Sequence, residues 1–117
     1  MKYSPAEIAA ELLQNDDNGL KDLRVHMFEE DEDAHNDELL ECIYEEFGNE
    51  LKQAETILSQ TYGSPARTGT EDDDIIPLNG LFRFSIWQVG DKVLYLAAAH
   101  EDRGLPVILM IGTATEE

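Results

Sequence analysis

The chain has 117 residues, 42% of them hydrophobic, and its 26 acidic and 8 basic side chains give a formal net charge of −18. This composition indicates a globular protein and excludes a wholly disordered acidic chain. Because nucleic acids and anionic membranes are bound chiefly through lysine and arginine, the charge argues against both as partners and favours a basic protein.

The length and the single cysteine further limit the kind of protein that this chain can be. A chain of this length matches one domain of common size, so we expect residues 1–117 to form a single domain. Cys42 has no second cysteine to pair with, which excludes an intramolecular disulfide. The N-terminal residues lack the basic and apolar segments of a signal peptide, and no apolar run approaches a length of about 18 residues, the minimum for crossing a bilayer. We therefore expect a cytoplasmic protein.

The first predicted element is a helix that begins after Ser4. The stretch Ser4-Pro5-Ala6-Glu7 supplies an N-cap serine, a proline at the first helical position and a glutamate in the first turn. The turn residues at 15–19 end the helix. Its apolar stripe consists of Ile8, Ala9, Leu12 and Leu13.

Residues 23–28 alternate in polarity, which predicts a half-buried strand, with a short helix as the alternative. The apolar side chains are Leu23, Val25 and Met27, and the polar ones are Arg24 and His26. The stretch FEEDEDAHNDE at 28–38 then places seven carboxylates in eleven positions without a lysine or arginine. No apolar residue follows Phe28 before Ala34, so we predict a solvated acidic loop.

A long amphipathic helix is predicted from about Asp37 to Gln60, with Asn36 as its N-cap. Gly48 interrupts this helix at a cost of about 1 kcal/mol relative to alanine, and Glu50 falls within the apolar sector. Because the apolar phase is kept across the glycine, we predict one helix, with Glu50 at its edge or a kink at Gly48. Its buried face comprises Leu39, Leu40, Ile43, Phe47, Leu51, Ala54, Ile57 and Leu58, and its outer face Glu38, Glu41, Glu45, Lys52 and Thr56.

A long surface loop and a β-hairpin follow this helix. Tyr62-Gly63-Ser64-Pro65 ends the helix, and residues 64–80 are predicted as a loop that contains four consecutive acids at 71–74. The segments 81–89 and 92–99 flank Gly90-Asp91 and predict a hairpin with a type II′ turn. That turn sets the pairs Phe82–Ala99, Phe84–Ala97, Ile86–Tyr95, Ser85–Leu96 and Trp87–Leu94.

The last predicted strand, Val-Ile-Leu-Met-Ile at 107–111, is apolar at every position and is therefore expected to be covered on both faces. Trp87 is expected to pack in the core or on a covered sheet face. The predicted fold class is α+β, with two helices packed on a mostly antiparallel sheet of three to four strands that ends in a C-terminal β-meander.

The sequence does not predict an enzyme. It has no P-loop, no G-x-G-x-x-G, no G-x-S-x-G and no H-E-x-x-H motif. The strongest catalytic candidate is His100-Glu101-Asp102, which lies in a loop between strands, where catalytic residues often lie. Such a group would make the protein a hydrolase. No serine or cysteine is assignable as its nucleophile. We therefore predict no catalytic residue and no cofactor.

Metal and nucleic-acid binding are not predicted either. Zinc sites need closely spaced cysteine and histidine pairs, whereas this chain has one cysteine and three scattered histidines. Asp31, Asp33 and Asp37 are spaced like ligands of a calcium loop, but the glycine and the bidentate glutamate of that loop are missing. The 8 basic side chains leave no basic patch for nucleic acid.

Several short motifs in residues 36–112 form a familiar pattern. They are Leu58-x-x-x-Tyr62-Gly63-x-Pro65, Phe84-x-x-Trp87, Val93-x-Tyr95-Leu96 and His100-Glu101-Asp102-Arg103-x-Leu105-Pro106, followed by an apolar last strand. This pattern resembles small bacterial immunity proteins of polymorphic-toxin and contact-dependent-inhibition systems, in general shape and most strongly toward the C-terminus. The resemblance implies a non-catalytic cytoplasmic protein that binds one toxin's C-terminal domain and blocks its active site. Such toxin domains are frequently basic nucleases, so the inhibitor would partly mimic nucleic acid.

Charge and resemblance together predict an immunity protein that binds a basic toxin domain, with a nuclease as one candidate, through exposed carboxylates. The alternative is a non-catalytic structural or regulatory adaptor that forms a homodimer by pairing an exposed strand, with the acids serving solubility. The candidate toxin-binding residues are Glu29, Glu30, Asp31, Glu32, Asp33, Glu38, Glu41, Glu45, Asp72, Asp73 and Asp74.

Overall fold

The structure, a computed structural model, describes residues 3–15, 19–28, 36–101 and 105–115. These residues form two helices and five strands, and the strands make one antiparallel sheet in the order β1-β5-β4-β3-β2. The elements are α1 (Pro5–Gln14), β1 (Leu20–His26), α2 (Asp37–Tyr62), β2 (Arg67–Gly69), β3 (Leu81–Val89), β4 (Lys92–Ala99) and β5 (Val107–Thr115). The predicted α+β class and C-terminal meander are confirmed, but the sheet has five strands rather than three or four.

Both helices begin at the predicted caps. The Ser4 hydroxyl accepts a hydrogen bond from the Glu7 amide at 3.4 Å, and the Asn36 side chain accepts one from the Leu39 amide at 3.2 Å. α2 continues through Gly48 without interruption and ends at Tyr62, and Gly63 follows it with a positive φ of 82° that glycine adopts readily. The prediction of a single long helix is therefore confirmed.

The helices cover one face of the sheet and form the main core with it. Trp87 lies at the centre of this core, 1% exposed, and its indole N–H donates a hydrogen bond to the Gly63 carbonyl oxygen at 2.9 Å. Each large apolar side chain buried here stabilises the fold by about 1.5–3 kcal/mol. The helices contribute Ala9, Ile43, Phe47, Leu51, Ala54 and Leu58, and the strands contribute Trp87, Leu94, Leu96, Ala98, Val107, Leu109 and Ile111.

The opposite face of the sheet is also apolar, and residues 75–78 pack against it. Ile76 is 3% exposed and lies in a cluster with Phe84, Tyr95 and Met110. Burial raises the pKa of the Tyr95 hydroxyl to about 12. The prediction of a simple surface loop at 64–80 is therefore wrong. The segment contains β2, and its residues 75–78 cross the sheet and are partly buried against it. β5, which lies between β1 and β4, is covered on both faces as expected.

A β-bulge in β3 changes one end of the predicted hairpin. The register shifts between Leu81 and Arg83, so that Leu81 rather than Phe82 lies opposite Ala99. The other four predicted pairs are confirmed. The predicted Phe82–Ala99 pair is wrong because the extra residue turns Phe82 toward α2, where its ring packs on Tyr44 with centroids 4.7 Å apart.

A second bulge occurs in β1, between Asp22 and Arg24. A strand is confirmed in the predicted region 23–28, but it begins earlier, at Leu20, and ends earlier, at His26. Its phase was predicted wrongly beyond Leu23, since Val25 and Met27 are 43% and 71% exposed. The extra residue shifts the alternation by one position, which moves those two side chains off the helix-covered face.

Gly48 provides a test of how α2 packs. A Cβ at this position would lie 3.9 Å from the Cδ and Nη1 atoms of Arg83, an ordinary contact distance. We expect Gly48→Ala to raise the free energy of unfolding by about 1 kcal/mol in urea denaturation, because alanine lowers the entropic cost of the helix interior. Gly69→Ala is the matched control, since its Cβ would lie 2.6 Å from the Phe84 ring and should destabilise the fold. A loss of stability in Gly48→Ala would contradict this packing.

Candidate functional site

The outer face of α2 carries a stripe of exposed carboxylates, which we call the acidic stripe: Glu38, Glu41 and Glu45. They are spaced three and four residues apart and therefore lie on one side of the helix. None of them forms an ion pair or hydrogen bond with another described residue. Their mutual repulsion costs about 0.2–0.5 kcal/mol per pair, partly offset for Glu38 by the helix dipole. The stripe is therefore not explained by helix stability.

Other carboxylates of α2 are engaged by side chains of this protein. Arg24 donates to Glu46 at 2.7 Å and to Glu50 at 3.5 Å, and its guanidinium lies 4.8 Å from the centre of the Phe47 ring. The hydrogen bond to Glu46 is the main cause that raises the pKa of Arg24. Tyr3 donates to Glu50 at 2.7 Å, and partial burial and this bond raise the Tyr3 pKa. Glu50 thus lies at the helix edge, one of the two predicted arrangements.

The predicted acids at 72–74 have different environments. The Asp73 carboxylate accepts hydrogen bonds from the Arg67 guanidinium at 2.9 Å and from the Ile75 amide at 3.0 Å. Asp72 accepts one from the Leu81 amide at 2.9 Å. Asp74 is exposed and has no such partner among the residues that the structure describes. Asp72 and Asp73 therefore hold the loop in place, and Asp74 is the acid of this trio left free for a partner.

The remaining candidate residues, Glu29 to Asp33, lie outside the described residues, as do Asp102 and two members of the calcium-like set, Asp31 and Asp33. Within the described ranges, no group of three or more histidine, cysteine, aspartate or glutamate side chains is placed to hold a metal ion.

His100 is held by both of its ring nitrogens. Nδ1 lies 2.6 Å from the Tyr44 hydroxyl, and Nε2 lies 3.0 Å from the Leu105 carbonyl oxygen. Since a carbonyl oxygen only accepts, Nε2 donates to Leu105, and Nδ1 shares a hydrogen bond with the Tyr44 hydroxyl. Both ring nitrogens are thus engaged within the protein. Glu101 next to it is exposed. The histidine ties α2 to the segment between β4 and β5.

A cleft of about 580 Å³ lies between α2 and the β2–β3 edge of the sheet. Glu45 of the acidic stripe belongs to its wall, so the stripe and the cleft are continuous. Sequence reasoning missed this cleft because its walls come from separate segments that no spacing rule connects. Its lining consists of Tyr44, Glu45, Gly48, Asn49, Glu55, Thr68, Gly69, Thr70, Phe82, Arg83, Phe84 and Ser85.

The fold and this surface define an acidic α+β domain that presents unpaired carboxylates on a helix anchored to a five-stranded sheet. Comparison with models of known families, with curated proteins and with solved structures found no match to this chain. Among the described residues, no helix combines the length and the apolar character needed to cross a bilayer.

The contrast between Asp73, which is hydrogen-bonded within the protein, and Asp74, which has no such partner among the described residues, can be tested. We expect Asp73→Ala to lower the free energy of unfolding by about 1–2 kcal/mol, because the Ile75 amide and the Arg67 guanidinium lose their acceptor. Asp74→Ala is the matched control and should change stability by less than about 0.5 kcal/mol. Equal effects of the two substitutions in urea denaturation would contradict the assignment.

Proposed function

We propose that the protein is a cytoplasmic immunity protein that binds the C-terminal domain of a cognate basic toxin and blocks its active site. The observation behind this proposal is the acidic stripe, Glu38, Glu41 and Glu45, which is exposed and forms no ion pair with any cation in the described part of the chain. Nearby Glu46, by contrast, is neutralised by Arg24. The family resemblance of residues 36–112 agrees with this reading.

The physical advantage of the stripe is that it is held rigid before binding. Phe47, Leu51 and Leu58 are fully buried beneath α2, so the helix does not have to become ordered when a partner arrives. Unpaired carboxylates on such a helix raise the association rate with a positively charged surface, and salt reduces this effect. Asp74 adds a further exposed acid, and the acids at 29–33 add five more by sequence.

A row of carboxylates on a rigid helix places negative charges one after another along a line, as the phosphates of a nucleic-acid strand do. A nuclease toxin binds its substrate through lysine and arginine, and those same side chains can pair with the stripe. Inhibition then requires no chemistry from this protein, since occupancy of the basic surface excludes the substrate.

If the proposal is correct, a secreted toxin is encoded beside this gene, and the test uses the C-terminal domain of that toxin. We expect the wild-type chain to restore growth when it is co-expressed with that domain. Glu41→Lys together with Glu45→Lys should weaken binding by about tenfold or more, lower the association rate and flatten its salt dependence.

Glu7→Lys together with Glu11→Lys is the matched control, because it makes the same change in net charge on exposed positions of α1. Equal loss of affinity in both double variants would show that only net charge matters and would remove the stripe from the interface. Absence of a neighbouring toxin gene, or no protection from its product, would overturn the proposed function.

A homodimeric adaptor is a second candidate function, favoured by the edge of the sheet. β1 is an outermost strand, and its Val25 side chain is 43% exposed. Met27 and Leu105, near the same end of the strand, are 71% and 46% exposed. Such an edge can pair with a second copy of itself.

Light scattering tests this second candidate. A homodimer predicts twice the chain mass at micromolar concentration for the wild type and the monomer mass for Val25→Lys. Gln53→Lys, exposed on α2, adds the same charge and should leave the dimer intact. A monomeric wild type would contradict the adaptor.

A further inference from the structure

Arg83 differs from the other arginines that the structure describes. Arg24 pairs with Glu46 and Glu50, and Arg67 pairs with Asp73. Arg83 is half-buried and lines the cleft, and its guanidinium forms no ion pair or side-chain hydrogen bond with any described residue. In a chain with 26 acidic side chains, a half-buried arginine with no described carboxylate within ion-pair distance calls for an explanation.

The cleft keeps this guanidinium accessible. On the α2 wall opposite Arg83 stands Gly48, which has no side chain to cover it, and the Arg83 Cδ and Nη1 atoms pass 3.9 Å from the place a Cβ would occupy. The Glu55 carboxylate in the same cleft is engaged by the Ser85 hydroxyl. Thr68, Thr70 and Asn49 also line the cleft and can donate further hydrogen bonds.

We propose that Arg83 is a specificity-determining residue of the partner-binding surface, and that the cleft receives an aspartate or glutamate side chain of the partner. This inference rests on the proposed function. The cleft adjoins the acidic stripe, because Glu45 belongs to both. A guanidinium binds a carboxylate through two parallel hydrogen bonds, whereas a lysine of the partner has only donors and carries the same charge as Arg83.

The need for such a residue follows from the stripe itself. Exposed carboxylates attract any basic protein, so charge alone gives attraction without selectivity. Specificity is a difference of affinities, and a half-buried cation next to the acidic stripe supplies one. A wrong basic partner brings a lysine or arginine against Arg83 and is repelled, whereas the cognate partner brings a carboxylate at that point.

A peptide titration tests the cleft without the toxin. The probes are the capped tripeptides acetyl-Thr-Glu-Thr-amide and acetyl-Thr-Lys-Thr-amide, added to ¹⁵N-labelled protein at about 150 mM salt, where the Debye length is about 8 Å. The acidic peptide should shift the Arg83 Nε–H and the Gly48 and Gly69 amide signals saturably, in the millimolar range. The lysine peptide should not shift them.

Arg83→Gln should abolish the shifts while leaving the rest of the spectrum that of the folded protein, and Arg83→Lys should restore them only in part. Shifts that are absent, that are equal for the two peptides, or that persist in Arg83→Gln would each overturn the inference. A positive peptide result with no binding to the neighbouring toxin would leave the cleft assigned and the proposed function refuted.

With the toxin domain in hand, Arg83→Gln should weaken binding by roughly 30-fold or more, since a desolvated carboxylate of the partner loses its cation. Its effect should resist salt, unlike that of the acidic stripe. An unchanged dissociation constant would exclude Arg83 from the interface.

Discussion

The packing of α2 across the C-terminal meander is the interaction on which the rest of the structure depends. Phe47, Leu51 and Leu58 are fully buried against the strands, and the buried Trp87 donates a hydrogen bond to the Gly63 carbonyl just beyond the helix. Once this apolar face is fixed, the rotation of the helix is fixed as well, and the opposite side must face solvent. The direction in which these carboxylates point is thus a geometric consequence of the core.

The acids of α2 divide by their angle around the helix. Those near the β1 side are neutralised, because Arg24 reaches Glu46 and Glu50 while lying over the Phe47 ring. Those on the solvent side, the acidic stripe, have no cation within the described residues. A row of unpaired carboxylates held on one side of a rigid helix favours a positively charged partner.

The features that local chemistry specifies could be predicted from the sequence. Caps at Ser4 and Asn36 mark helix starts, the apolar phase of α2 survives Gly48, and Gly90-Asp91 sets the hairpin register. The bulges and the short strand β2 could not be predicted, because one inserted residue or a three-residue pairing leaves no periodic signal. The acidic stripe was predictable as the outer face of a helix. The cleft was not, since tertiary packing alone brings its walls together.

The two bulges have parallel effects that bear on function. In β1 the extra residue places Leu23 and Arg24 side by side on the helix-covered face, and in β3 it does the same for Phe82 and Arg83. Each bulge therefore adds an apolar contact to the core and directs an arginine at α2. Arg24 meets two glutamates there, whereas Arg83 meets Gly48 and an open cleft. A β-bulge thus gives two different results at the two edges of the helix. Arg24 forms a structural ion pair, whereas Arg83 remains available to bind a partner's carboxylate.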